Sequence, residues 1–280
     1  MSQPTAIKIQ RSQRQRLSTL AALLMFPFPS AGQTLPVPLV YLSAIDATIR
    51  QEIRYASGHN FTGKPVVGYQ AGECILTRTA AEALRNVQAD LVKQGLGLKV
   101  YDCYRPRRSV RAFVEWVGGG DTQDPGFFPN TPRKALIVEG YIAARSGHSK
   151  GNAVDLTLVT LAPAQKAVEH KPHPTAPIAD CTAEAGKRTP DDSVDMGTAF
   201  DCFDKKSHTL APKITAEQRR WRSVLVKAMS SRGFHNYPRE WWHFSFGAGD
   251  ADDFDVPITA RPPTADVQPS ATKPQAAPAN

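Results

Sequence analysis

Several function classes are excluded by what the chain does not contain. No Cys-x-x-Cys spacing occurs, which argues against a cysteine-ligated zinc module. No His-Glu-x-x-His stretch occurs, so two metal ligands cannot come from one helix face in that way. No basic stripe is interleaved with aromatics: half of the net charge of +8 sits in Lys8, Arg11, Arg14 and Arg16, and the rest is scattered apart from Arg105, Arg107 and Arg108. A nucleic-acid partner is therefore not expected. The apolar run from Leu17 to Phe28 is too short for a stable bilayer anchor. No cysteine follows it to carry a lipid, and Arg11 and Arg14 are not adjacent as a twin-arginine export signal requires. No internal repeat is visible.

What remains reads as an exported globular protein. At 280 residues and 41% hydrophobic, the chain can bury a core in one domain with embellishments or in two small ones. Residues 1–32 have a basic stretch, an apolar run and a small-residue exit at Ser30-Ala31-Gly32, the layout of a secretory signal. Export to the periplasm or the extracellular space agrees with the even count of cysteines: Cys74, Cys103, Cys181 and Cys202. Three pairings are possible. Joining Cys74 to Cys103 would staple one helix–strand unit, and joining Cys181 to Cys202 would close a loop-rich stretch; each bridge would stabilise by roughly 3 kcal/mol.

After a proline-containing lead-in the folded domain is expected over residues 41–256. Thr79 with Glu82 forms a capping box, followed by Ala80, Leu84, Val87 and Leu91 at helical spacing up to Gly95. Leu98–Asp102 alternates like a strand. A helix is predicted over Ser109–Val117, stopped by Gly118-Gly119-Gly120, and another over Lys134–Ala144. Ala153–Val159 is a strand. Thr215 with Gln218 opens a last helix whose Trp221, Val224, Leu225 and Ala228 share one side until Gly233, and Trp241–Phe246 is the last strand. Residues 163–192 read as a surface insertion tied down at Cys181. Residues 257–280, with six prolines and no aromatics, read as a disordered tail. The fold class expected is α+β: a single domain with a small antiparallel sheet flanked by helices.

Two segments carry the chemistry. Ser146-Gly147-His148-Ser149-Lys150-Gly151-Asn152-Ala153-Val154-Asp155 and Glu240-Trp241-Trp242-His243 supply two imidazoles and two carboxylates. A hydrolytic zinc site needs three protein ligands, an open position for water and a base for the water's proton. Strand alternation turns Val154, Leu156 and Leu158 to one face and Ala153, Asp155 and Thr157 to the other, which is small and polar. Gly151 can supply the turn that brings His148 back toward Asp155. Pro238 places Glu240 at the loop-to-strand junction, outside the alternation that fixes His243, where it can act as the base. His59, His170, His173, His208 and His235 are read as non-ligands.

These segments resemble the Ser-x-His-x-x-Gly-x-Ala-x-Asp … Glu-x-x-His pattern of peptidase family M15. Further stretches are similar to its D-alanyl-D-alanine dipeptidases of the VanX type: Tyr55 with Asn60–Pro65 and Gly68-Tyr69, Tyr104-Arg105-Pro106, and Met196–Asp201. The resemblance runs in order from about Ile45 to Phe246. It implies a D-alanyl peptidase-like fold, one zinc ion per chain held by His148, Asp155 and His243, and Glu240 as general base. It further implies Arg105 as the residue steadying the tetrahedral intermediate, and Asp201, Ser146, Tyr55 and Tyr69 as substrate contacts. A fixed guanidinium can hydrogen-bond a developing oxyanion as a neutral residue cannot. The activity implied is hydrolysis of D-alanyl-D-alanine to two D-alanines, with the small dipeptide as partner. A D,D-carboxypeptidase or peptidoglycan endopeptidase is the near alternative and would prefer acylated or wall-derived peptides. A non-catalytic zinc-binding module is the remote one, and would need neither Glu240 nor Arg105. The long insertion and the export features are departures from cytoplasmic members of the family.

Overall fold

The computed structural model describes residues 35–161, 179–247 and 252–263. In chain order its main elements are β1 (Leu39–Tyr41), α1 (Leu42–Ile45), β2 (Arg50–Gln51), β3 (Ile75–Thr77), α2 (Arg78–Val92), β4 (Leu96–Asp102), α3 (Arg107–Gly118), β5 (Ala153–Thr160), α4 (Ala216–Ser230), β6 (Phe234–Asn236) and β7 (His243–Phe246). Five strands form one sheet in the order β2-β4-β5-β7-β6, and β1 pairs with β3 in a second. The main sheet is antiparallel except for the β2–β4 pair, which is parallel. The α+β expectation holds, with that one parallel edge added.

Strand β5 lies at the centre. It is buried from Ala153 to Val159, because the sheet is covered on both faces, so the polar face expected around Asp155 is interior. Its register sets Asp155 opposite Asp102 on one side and opposite His243 on the other. An irregularity between Val100 and Asp102 interrupts the β4–β5 pairing: Lys99 opposes Thr157, and Asp102 opposes Asp155. Plain alternation would send Lys99 and Asp102 to opposite faces. The extra residue, Tyr101, re-aims Asp102 to the side of Asp155.

Helix α2 starts earlier than the box at Thr79 suggests. Thr77 is the N-cap, its hydroxyl accepting from the Ala80 amide at 3.4 Å. The reason is that β3 ends there, so Arg78 and Thr79 are already in the helix. Buried Gln88 accepts from the Leu98 amide and donates to Thr48, locking the helix to β4. Gly95 follows with φ 71°, a left-handed stop that glycine adopts without strain. A disulfide joins Cys74 to Cys103. Helix α4 carries the Thr215–Gln218 capping box in full.

The helix expected over Lys134–Ala144 does not form. A 3₁₀ turn covers Arg133–Ala135, and Gly140 at φ 79° then reverses the chain, so that Tyr141 and Ile142 both donate to the Leu136 carbonyl. Leu136 and Ile142 are buried while Ile137 and Val138 are exposed, so the apolar residues that anchor this stretch do not recur at helical spacing.

One expected boundary shifts. The tail does not begin at 257: Ile258 is buried, its amide donates to the Gly68 carbonyl, and its own carbonyl accepts from Gln70 and Ala71. Just before it, Asp255 accepts from the Arg108 amide at the start of α3. Residues 264–280 lie outside the described residues, as do the expected signal and residues 163–178 of the insertion. The rest of the insertion is tied to the domain. Cys181 is bridged to Cys202, and Asp191 and Asp192 ion-pair with Lys99 at 2.6 and 2.5 Å.

Candidate metal centre and active site

Three donor atoms converge at the centre of the sheet. His148, Asp155 and His243 each place a ligand atom within 4.8 Å of the others. His148 sits in a 3₁₀ turn, Gly147–Lys150, opened by Ser146, whose hydroxyl accepts from the His148 amide. The turn closes on Gly151 at φ 70°, where a Cβ would lie 2.5 Å from the Leu39 side chain. Glycine is therefore required for the chain to reach β5 from this turn. The His148 Nδ1 hydrogen is donated to the Cys103 carbonyl at 2.6 Å, which leaves the Nε2 lone pair facing inward.

The inner atoms are spaced as ligands of one ion. His148 Nε2 is 3.1 Å from His243 Nδ1 and 3.4 Å from Asp155 Oδ1, and His243 Nδ1 is 3.0 Å from Asp155 Oδ1. Ligands bound to a tetrahedral zinc at about 2.0–2.1 Å lie roughly 3.3 Å apart. Burial would raise the Asp155 carboxyl, but His148 and His243 outweigh it and hold it well below its usual range. Burial also lowers His243, favouring the neutral imidazole that a metal binds. Two imidazoles and a carboxylate meeting at such spacing fit a divalent cation such as zinc.

Around this centre lies a cavity of about 290 Å³. Arg105, Asp201, Tyr55, Ser146 and Glu240 all line it. Tyr69 does not; its hydroxyl donates to Asp102 at 2.7 Å, behind Arg105. Glu240 sits where Pro238 places it, in the turn before β7, with its amide donating to the Tyr237 carbonyl and its carbonyl accepting from the His243 amide. Its Oε2 is 3.9 Å from His243 Nδ1. Burial, then the Asp155 and Asp201 carboxylates, push its carboxyl well above the usual range.

Asp201 is buried at φ 57°, a left-handed conformation that aspartate tolerates at some cost. Three features hold the loop there: the adjacent Cys181–Cys202 bridge, the Tyr55 hydroxyl donating to its carboxylate at 2.8 Å, and Arg222 of α4, which donates to the Met196, Lys206 and His208 carbonyls. Burial and Asp155 push Asp201 up to about 8. Among the described residues, neither Asp201 nor Glu240 has an arginine or lysine ion-pair partner.

The residue that sequence reasoning missed is Asp102. It is fully buried and accepts Arg105 Nε and Nη2 at 3.0 and 2.7 Å on one oxygen and the Tyr69 hydroxyl on the other. It therefore fixes Arg105, whose guanidinium also lies 5.2 Å from the Tyr55 ring centroid and 5.0 Å from that of Phe113. As the last residue of a strand, Asp102 gave no sign of this role. Only the Asp-x-x-Arg spacing with Arg105 could have pointed to it.

Comparison with known proteins shows the family to which the chain belongs. Residues 37–169 and 162–259 match the family described as D-ala-D-ala dipeptidase. A D-alanyl-D-alanine dipeptidase of Enterococcus faecium is 32% identical over 210 residues, covering 74% of this chain and 91% of the relative. One of Enterococcus faecalis is 35% identical over 198 residues, 70% and 85% of the two chains. One of Streptomyces coelicolor is 32% identical over 227 residues, 78% and 96%. Matched over most of its length, the chain belongs to the D-Ala-D-Ala dipeptidase family of peptidases.

Proposed function

We propose that the protein hydrolyses free D-alanyl-D-alanine to two D-alanines, using a zinc ion held by His148, Asp155 and His243. The observation that carries this reading is the meeting of those three donor atoms in a small cavity shared with Glu240, Arg105 and Asp201. When bound, zinc would polarise the scissile carbonyl and acidify the attacking water. With the positive charge of a bound zinc ion beside it, Glu240 would be favoured as the carboxylate; it would accept the proton from water and deliver it to the departing amine. Arg105, held rigid by Asp102, donates to the oxygen that becomes negative.

Asp201 supports the free dipeptide over longer peptides. A buried carboxylate without a cationic partner is met by the substrate's ammonium, and an N-acylated peptide would leave it uncompensated. The cavity of about 290 Å³ also suits a small ligand, since sites for drug-sized molecules span roughly 300–1,000 Å³. Ser146 and Tyr55 contribute hydrogen bonds at the walls, and Tyr69 acts through Asp102. The protein works after export: the N-terminal sequence supports this, and so do two disulfides, which persist in oxidising compartments. No helix among the described residues is long and apolar enough to cross a membrane.

The test is release of D-alanine from D-Ala-D-Ala, with and without a chelator, beside N-acetyl-D-Ala-D-Ala. Chelator-sensitive turnover that prefers the free dipeptide is expected. A folded, zinc-loaded protein that releases no D-alanine, or one that prefers the acetylated substrate, overturns the substrate assignment.

A further inference from the structure

The dipeptide has two charged ends, and Asp201 answers only one. The other is a carboxylate, entering a cavity that already holds the carboxylates of Asp155, Asp201 and Glu240. Two cationic side chains line that cavity, Arg105 and Arg145. Arg105 is bound through Nε and Nη2 to Asp102 and sandwiched near the Tyr55 and Phe113 rings. Arg145 is different. It is exposed, and it has no hydrogen-bond or ion-pair partner among the described residues.

Its placement marks the mouth of the site. Arg145 and Ser146 line the central cavity and also two open grooves on the outer surface, so they stand where the cavity meets solvent. One of these grooves carries Arg107, Arg111 and Lys150, against Asp252 and Asp253. Asp201, by contrast, is buried. The cavity is thus negative at its buried side and positive at its rim. A small zwitterion aligns in such a field with its ammonium inward and its carboxylate outward.

We infer that Arg145 is a specificity-determining residue that pairs with the C-terminal carboxylate of the substrate at the rim of the cavity, opposite the Asp201 end. This rests on the dipeptidase reading above and deepens it. An unpaired, exposed arginine suits the role, because no internal ion pair has to break when the substrate arrives, and its fork matches a carboxylate. Ser146, next in sequence, can donate its hydroxyl hydrogen to the same group while accepting from the His148 amide.

The test compares wild type, Arg145→Gln and Arg145→Lys on D-Ala-D-Ala and on its C-terminal amide, with zinc content measured in each. In Arg145→Gln the KM for the free acid should rise about tenfold or more, with a smaller change in kcat, and the preference for acid over amide should fall by a similar factor. Arg145→Lys should recover part of that preference, which a purely structural role would not do. If wild type cleaves the dipeptide and Arg145→Gln keeps the acid-over-amide preference, the inference is overturned while the dipeptidase reading stands. If zinc-loaded wild type does not cleave the dipeptide, both fall.

Discussion

Strand β4 carries two buried ionic clusters three residues apart, and they differ in one respect that separates structure from function. At Lys99 the charges balance. Its ammonium meets Glu52, Asp191 and Asp192, Arg54 pairs with Glu52 and Asp191, and Arg50 with Asp192. Burial is outweighed there by opposite charges: acidic neighbours including Asp191 and Glu52 hold Lys99 above its ordinary value, and the nearby cations, Lys99 foremost, hold Asp191 and Asp192 below theirs. At Asp102 the charges do not balance. Four carboxylates, those of Asp102, Asp155, Asp201 and Glu240, gather near the single guanidinium of Arg105, which ion-pairs with Asp102 and Asp155, and burial drives Glu240 and Asp201 upward. The first cluster is complete without a ligand and ties the segment around residue 191 to the sheet. The second is one or more positive charges short, which suits a centre built for a metal ion and an ammonium group.

The variants that probe this contrast should act on different properties. The largest effect is expected from Glu240→Gln, where loss of the base should lower turnover by about 10²–10⁴-fold. Zinc content and melting temperature should stay unchanged, and loss of zinc would mean that Glu240 is misassigned. Lys99→Met should do the reverse. It leaves three partly buried carboxylates facing two arginines, and should cost on the order of 3 kcal/mol in urea unfolding, while the folded fraction keeps its kcat. Equal stability in that variant would remove the structural half of the comparison.

Asp102→Asn lies between the two. It keeps shape but releases Arg105, and activity should fall about 10–100-fold; an unchanged kcat would show that Arg105 is positioned by its aromatic neighbours instead.

Acid should separate the clusters further. Asp191 and Asp192 are held low, so the unfolded chain takes up their protons first as pH falls. Their contribution is full above about pH 4 and is lost as pH drops through the lower folded values. The loss of stability from about pH 6 to about pH 3 should therefore be larger in wild type than in Lys99→Met, measured by urea midpoints. The smallest effect is expected from Tyr55→Phe. Losing the hydrogen bond to Asp201 should cost about 1 kcal/mol, roughly a fivefold rise in KM, and no change at all would free Tyr55 from the site.

The comparison also shows what was legible in the sequence. A glycine turn and strand alternation placed His148 beside Asp155, because local geometry governs them, whereas the meeting of His243 with this pair was legible only through the resemblance to the family. Pro238 likewise marked Glu240 as standing outside the strand. Asp102 and Lys99 were not legible in this way. The irregularity at Tyr101, which no residue type announces, decides where Asp102 points, and Lys99 is satisfied by partners 47 and 92 residues away. The stretch Lys134–Ala144 had helix-forming residues, but its buried Leu136 and Ile142 do not fall at helical spacing, and Gly140 turned it. Ile258 reads as part of a proline-rich tail until its pairing with the 68–71 segment is seen. Local periodicity located the catalytic strands, whereas long-range charge closure and register shifts had to come from the fold.

The most direct measurement is zinc per chain in the purified full-length protein and in His148→Ala, Asp155→Asn and Lys99→Met. One ion is expected in wild type and in Lys99→Met, with loss of zinc and of chelator-sensitive dipeptide turnover in the other two. Full zinc in both His148→Ala and Asp155→Asn, or a wild type that cleaves the dipeptide unchanged in excess chelator, would contradict a metal centre at the unbalanced cluster.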